Sequence, residues 1–349
     1  MIVEELIVWL NNPEPTRFPY DSVLAEYHRM GKHFVSDSLL KMLALSRKVL
    51  LDPSDSGGDT TLLREFLRCA LDKWDGCYEY TTYLALRLLP TPTMDDTPGL
   101  VTLALKRRDW LVLQLVADEI NFELAFSSGH CELLPEMRPS PSLTTKRCRL
   151  AVQIVKPALQ RLGLVDESTP ADPYLAACKL CVTVLPILST QDRRMLQLSM
   201  LPVYTIHDEY LFIRVLQAFE VTFALLAIML CAAIRALSEK DCKTAISHIS
   251  LAESALHEAA PLFSLLATMQ PEAFRTFRKF TEGASAIQSR NYKIVEALCS
   301  KPDAERLNSA AYFRFQRSAT GFLSVTERST MRSDQHAALN GSPQMSSIC

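Results

Sequence analysis

The chain has 349 residues, 48% of them apolar and 22% charged, the balance of a soluble globular protein with enough length for one large core or two units. A formal net charge of −2, with no basic stripe or aromatic-rich basic loop, leaves nothing to neutralise phosphates, so nucleic acid is excluded as a partner. Only 10 glycines stand among many Leu and Ala, which favours an all-α fold.

The first element that the pattern predicts is a helix over 36–51, opened by a Ser36 cap. SDSGGD near 54–59 then reads as a polar linker, and Thr60 caps a helix through Leu62, Phe66 and Cys69 that ends at Gly76. YEYTTYLALRLLP, 78–90, is the most aromatic stretch of the N-terminal half and closes on a proline-rich turn. Helical periodicity returns over 100–126 and 144–162, with Pro- and Ser-rich loops around 135–142 and 168–173. Cys178 and Cys181 form a CxxC pair without the second pair that a zinc site needs, so they read as apolar helix positions. With no signal peptide, the ten cysteines are expected to be buried thiols of a cytoplasmic protein.

From 192 the chain is more continuous. A helix is predicted over 208–238 with Leu211, Val215, Phe219, Thr222, Leu226 and Met229 on one face, followed by helices over 241–269, 271–280 and 283–299. Long helices joined by short turns describe an antiparallel bundle. Its apolar run VTFALLAIMLCAAI, between Glu220 and Arg235, is shorter than the roughly 20 residues that span a bilayer, so no membrane is expected. The composition beyond about 323 predicts a disordered tail.

Three strings place unusual polar groups on apolar helices. HDEYLFIRVLQAFE, 207–220, starts with acids where a helix dipole favours them. PEAFRTFRKF, 271–280, sets Phe274 and Arg278 four apart on one face, and an aromatic surface beside a guanidinium suits a flat ring carrying a carboxylate. GASAIQSRNYKIVE, 283–296, brings small residues that allow close backbone approach.

In this order the strings resemble the tryptophan 2,3-dioxygenase family over about 198–297: HDE-x-LFI with Q-x-x-E, F-x-x-F-R, and a turn similar to that family's (A/S)SGFQS. Tyr80, Thr81, Thr82, Tyr83 and Leu84 resemble its Y-G-x-Y-L segment, which here lies further upstream, across an inserted block of roughly 91–191. The resemblance implies a helical bundle of that type at 191–300, an additional helical N-terminal region at 1–190 with Tyr80 and Tyr83 bordering the pocket, and an extension at 301–349. It further implies haem b, dioxygen and an aromatic amino acid as reaction partners, and a homo-oligomer. Phe212 would pack on the substrate ring, and Arg278 would hold its carboxylate.

Departures from the family pattern are specific. Leu216 replaces the distal histidine, and Ala286 and Ile287 replace Gly-Phe in the turn. Only His336 follows the arginine motif as a proximal iron ligand. His28, His33 and His130 would serve only if the N-terminal region supplies a wall of the site. Besides indole dioxygenation, the pattern leaves open hydroxylation of a tyrosine-like ring by haem, or a haem-less helical binding protein.

Overall fold

Local signals start and stop the helices where physical chemistry favours it. In the computed structural model, which describes residues 2–50, 57–93, 101–164 and 170–300, Ser36 caps the helix Asp37–Val49 by accepting from the Leu39 amide. Ser140 caps Pro141–Leu162, which has proline at its first position and stops at Gly163 in the left-handed conformation. Asp172 caps Pro173–Val184, and Ser189 with Asp192 forms a reciprocal capping box at Thr190–Leu198. The expected tail and its His336 lie outside the described residues.

The helices are, in chain order, α1 (Ile2–Asn11), α2 (Tyr20–Met30), α3 (Asp37–Val49), α4 (Gly58–Ala70), α5 (Tyr80–Tyr83), α6 (Val101–Ser127), α7 (Pro141–Leu162), α8 (Pro173–Val184), α9 (Thr190–Leu198), α10 (His207–Ser238), α11 (Cys242–Leu266), α12 (Pro271–Arg278) and α13 (Arg290–Cys299). No strand occurs among the described residues; a single bridge joins Glu136 to Ile206. The fold is all-α. Several boundaries differ from the sequence reading, among them the start of α7 at Pro141 rather than 144. Gly57, not Thr60, precedes α4, and that helix stops at Ala70 rather than Gly76. The stretch 283–299 is a 3₁₀ turn, Ala286–Gln288, followed by α13.

Residues through Leu298 form one compact unit. Its centre is α10, packed along α6 and α11, with α7 closing the four-helix core and α8 flanking it. α10 is long and apolar enough to cross a bilayer. Its first half, however, buries His207, Asp208, Glu209, Arg214, Gln217 and Glu220, groups that hydrocarbon would not satisfy. Arg214 shows how the core satisfies them: it reaches Asp118 on α6 at 2.7 Å, Ser199 at 2.9 Å and the Leu196 carbonyl at 2.7 Å. Arg147 on α7 likewise binds Glu123 on α6 at 2.5 Å and Asp208 at 2.8 Å. These ties set the rotation of α10 against its neighbours.

The N-terminal helices α1 to α4 bury a second apolar cluster around Leu6, Trp9, Tyr27, Leu43 and Phe66. Two contacts anchor it to the segment that leads into α10. Gly31 ends α2 at φ +79°, and a Cβ there would stand 2.6 Å from the Val203 carbonyl oxygen and 2.8 Å from Tyr204 Cα, so only glycine allows this approach. The next residue, Lys32, donates its amide to the Pro202 carbonyl at 2.8 Å. Its ammonium forms a fully buried ion pair with Asp72 at 2.8 Å.

Candidate active site at the start of the central helix

The first turns of α10 carry the residues that the family resemblance singles out, and α5 and α12 meet them there. Tyr83 on α5 is fully buried, and its phenol donates to Glu209 Oε1 at 3.2 Å. Glu209 also accepts from the backbone amides of Val203 at 2.6 Å and Tyr204 at 3.1 Å. Burial lifts the Glu209 carboxyl to about 8 despite these bonds, which act the other way. The Tyr83 phenol is raised well above its usual value by burial and then by Glu209, while Arg278 pulls it back.

Phe212, one turn further along α10, is half-buried. Its ring lies 6.3 Å from Tyr83, 5.3 Å from Phe277 and 5.8 Å from Phe274. Phe274 therefore joins the aromatic cluster. Arg278, the residue after Phe277, donates from Nη1 to Thr281 Oγ1 at 3.0 Å and to the Ala284 carbonyl at 2.6 Å. Glu282, four residues on, does not pair with Arg278; it binds Lys73. The structure thus brings Tyr83, Phe212 and Arg278 to one locality from three distant segments.

Tyr80 belongs to a neighbouring network. Its phenol donates to Glu220 Oε1 at 3.1 Å, and its amide donates to Gln288 Oε1 at 3.2 Å. Asn291 donates to Glu220 Oε2 at 3.3 Å. Burial raises the Glu220 carboxyl, and hydrogen bonds from Ser289, Tyr80 and Asn291 oppose that. Gln217 donates to the carbonyls of Leu84 and Ser199 at 2.9 and 3.0 Å. The Q-x-x-E pair therefore fixes α5 and the turn around Gln288 onto α10, which accounts structurally for the co-occurrence of these motifs.

The histidines are dispersed. His207 is packed between Phe122, stacked at 4.6 Å, and Phe126, edge-on at 4.8 Å, with Nε2 3.4 Å from Glu123. The His28 ring sits 2.8 Å from the Met200 carbonyl, and His130 contacts Ser128 on the surface. His248 and His257 belong to α11. Leu216, at the distal position, is 8% exposed and lies in the apolar core.

Among the described histidines, His33 lies beside the candidate site. Its ring meets Tyr78 edge-on at 5.0 Å, and Tyr78 in turn lies 6.2 Å from Tyr83. Neighbouring Phe34 packs on Phe280 at 5.2 Å, just past α12. Residues of the N-terminal region thus pack against α5 and the end of α12. Tyr78 and the Lys73–Glu282 pair were not singled out from the sequence, because neither lies in a motif; the density of tyrosine at 78–83 was their only signal.

The described residues do not by themselves fit a haem. No histidine stands at the distal position, and His33 Nδ1 faces the Lys73 ammonium at 2.9 Å. An ammonium donates, so the His33 proton resides on Nε2 and its lone pair is turned away from any metal there. Iron-ligating imidazoles show the reverse arrangement, with the second nitrogen donating to an acceptor. No group of three or more His, Cys, Asp or Glu among the described residues is disposed to hold a metal ion.

Residues 191–347 match the sequence model of tryptophan 2,3-dioxygenase. Among curated proteins, the chain is 33% identical over 106 residues to a tryptophan 2,3-dioxygenase of Kineococcus radiotolerans, and 30% identical over 109 residues to one of Saccharopolyspora erythraea. The matches cover 30% and 31% of this chain and 37% and 39% of the relatives, so the chain spans under two-fifths of their length. No solved structure matches it. Residues 191–347 of this chain are thus similar to the tryptophan 2,3-dioxygenase family.

Proposed function

We propose that the chain is a tryptophan 2,3-dioxygenase-like oxygenase of an aromatic amino acid, inserting dioxygen into the indole ring of tryptophan or a derivative. The observation that carries this reading is the convergence of Tyr83, Phe212 and Arg278 on one locality within a fold segment related to that family. Phe212 offers a ring face to an indole, the contact that orients a planar substrate. Arg278 engages only Nη1 among the described residues. Its Nε and Nη2 form the fork that pairs with a carboxylate through parallel hydrogen bonds. Tyr83, held by Glu209, keeps the opposite side rigid, so the ring is positioned without reorganisation.

Haem b is the cofactor that the family relation implies, and when bound it would supply the activation of dioxygen. An axial ligand would have to come from outside the described residues, where His336 lies, or from another chain. A haem-less protein that binds an aromatic amino acid is the second reading, favoured by Leu216 at the distal position.

The test is reconstitution with haemin, followed by incubation with tryptophan under labelled dioxygen. A Soret band and a product heavier by two labelled oxygens support the oxygenase. A Soret band with one oxygen added to tyrosine assigns a hydroxylase instead. Absence of any haem band, with tryptophan still bound, leaves the binding protein.

A further inference from the structure

Within electrostatic reach of Arg278, and tied through Lys73 to Glu282 just past α12, lies a group of polar atoms that the motif residues do not account for. Two of them, His33 Nε2 and the Tyr78 hydroxyl, are buried and have no hydrogen-bond partner among the described residues. Unsatisfied buried polar atoms are costly, and each one in a folded protein calls for an explanation. Their side chains adjoin, edge to face at 5.0 Å. The Lys32 and Lys73 ammonium groups stand 5.5 and 5.8 Å from the centre of the Tyr78 ring.

The hydrogen-bonding character of these atoms follows from their neighbours. Lys73 donates to His33 Nδ1 at 2.9 Å, which leaves Nε2–H as a donor. Burial and the charges of Lys73 and Lys32 lower the His33 pKa to about 3, so the imidazole is neutral at pH 7. The Tyr78 phenol is pushed up by burial and keeps its proton. Two unsatisfied O–H and N–H donors thus sit side by side.

The charge balance points the same way. Lys32 is neutralised by Asp72 and Lys73 by Glu282. Glu209, with its carboxyl raised to about 8 by burial, is largely protonated. Arg278 bonds only a hydroxyl and a carbonyl, and its charge reaches the Tyr78 phenol. Among the described residues, the locality carries one uncompensated cation and two vacant donors, the complement of a ligand carboxylate.

We propose that His33 Nε2–H and the Tyr78 hydroxyl, together with Arg278, form the seat for the carboxylate of the aromatic amino-acid ligand. The helical N-terminal region would then contribute directly to ligand binding, through residues outside the segment that matches the dioxygenase family. This rests on the reading of Phe212 and Arg278 as a ligand site.

Calorimetry on the full chain as purified tests it with three probes: L-tryptophan, indole-3-propionate, which keeps the carboxylate but lacks the amine, and tryptamine, which lacks the carboxylate. Tyr78→Phe removes one hydroxyl, and His33→Phe keeps a ring against Tyr78 while removing the donor. Each variant is expected to weaken L-tryptophan and indole-3-propionate about tenfold, the worth of one hydrogen bond to a charged group, and to leave tryptamine unchanged. Unchanged affinity for the two carboxylates in both variants would overturn the seat while leaving the ligand site intact. An equal loss for all three probes would also overturn it, by assigning a packing role. Failure of the unmodified protein to bind any of the three would instead remove the ligand site itself, and the seat with it.

Discussion

Tyr83 and Glu209, 126 positions apart in the chain, are joined in the core by a 3.2 Å hydrogen bond from phenol to carboxylate. The bond links the tyrosine motif on α5 to the first turn of α10, and the same carboxylate caps the loop at Val203 and Tyr204. Glu209 is therefore the hub that places an aromatic wall against Phe212. Its environment is apolar enough to favour the neutral acid.

That environment makes stability depend on pH in a defined direction. The Glu209 carboxyl moves from 4.5 to about 8 on folding, so the folded state holds the proton more tightly. Its contribution is complete below pH 4.5 and declines as pH rises toward 8, at about 1.4 kcal/mol per pH unit at most. Glu209→Gln is expected to flatten the fall in melting temperature between pH 5 and pH 8. A fall of the same steepness in the variant would assign the effect to another group.

Gly31 holds the N-terminal cluster against the entry to α10. Alanine there combines a disfavoured φ of +79° with a Cβ 2.6 Å from a carbonyl oxygen, and backbone does not yield as a flexible side chain does. Gly31→Ala is expected to destabilise the fold by about 2 kcal/mol or more, read by chemical denaturation. A change under about 0.5 kcal/mol, the range of ordinary surface substitutions, would show that 202–204 moves aside freely.

Glu119 on α6 is 1% exposed, and neither carboxyl oxygen has a hydrogen-bond partner among the described residues. Burial, followed by the charge of Glu123, pushes its pKa well up. Glu119→Met, similar in volume, is expected to stabilise the protein by about 1–3 kcal/mol at pH 8, with a smaller gain at pH 5, where protonating the acid on folding costs less. Destabilisation at pH 8 would mean that Glu119 supports Arg147 by more than its burial costs.

Much of the bundle was legible in the sequence because helix signals are local. Ser36 and Gly163 mark ends by chemistry that acts within a turn, and the apolar face of α10 follows from its period, whereas the Ser140 cap lay inside the expected loop at 135–142. The motif residues Phe212 and Arg278 were also legible, as matched strings. What could not be read were pairings between segments far apart. Helical spacing would set Glu282, at i+4, beside Arg278; the chain leaves helical geometry after Arg278, and Glu282 turns to Lys73 instead. His33 and Tyr78 gain meaning only when the loop after α2 folds over α12, a placement encoded by Gly31 and Phe34 through tertiary contacts that sequence spacing does not reveal.

The central claim is that Arg278 and Phe212 border one ligand site, and the affinity of L-tryptophan for Arg278→Ala measures it most directly. Calorimetry on the folded variant is expected to show at least a tenfold loss relative to the unmodified protein, with tryptamine affinity little changed. Equal L-tryptophan affinity in the two proteins would contradict the account.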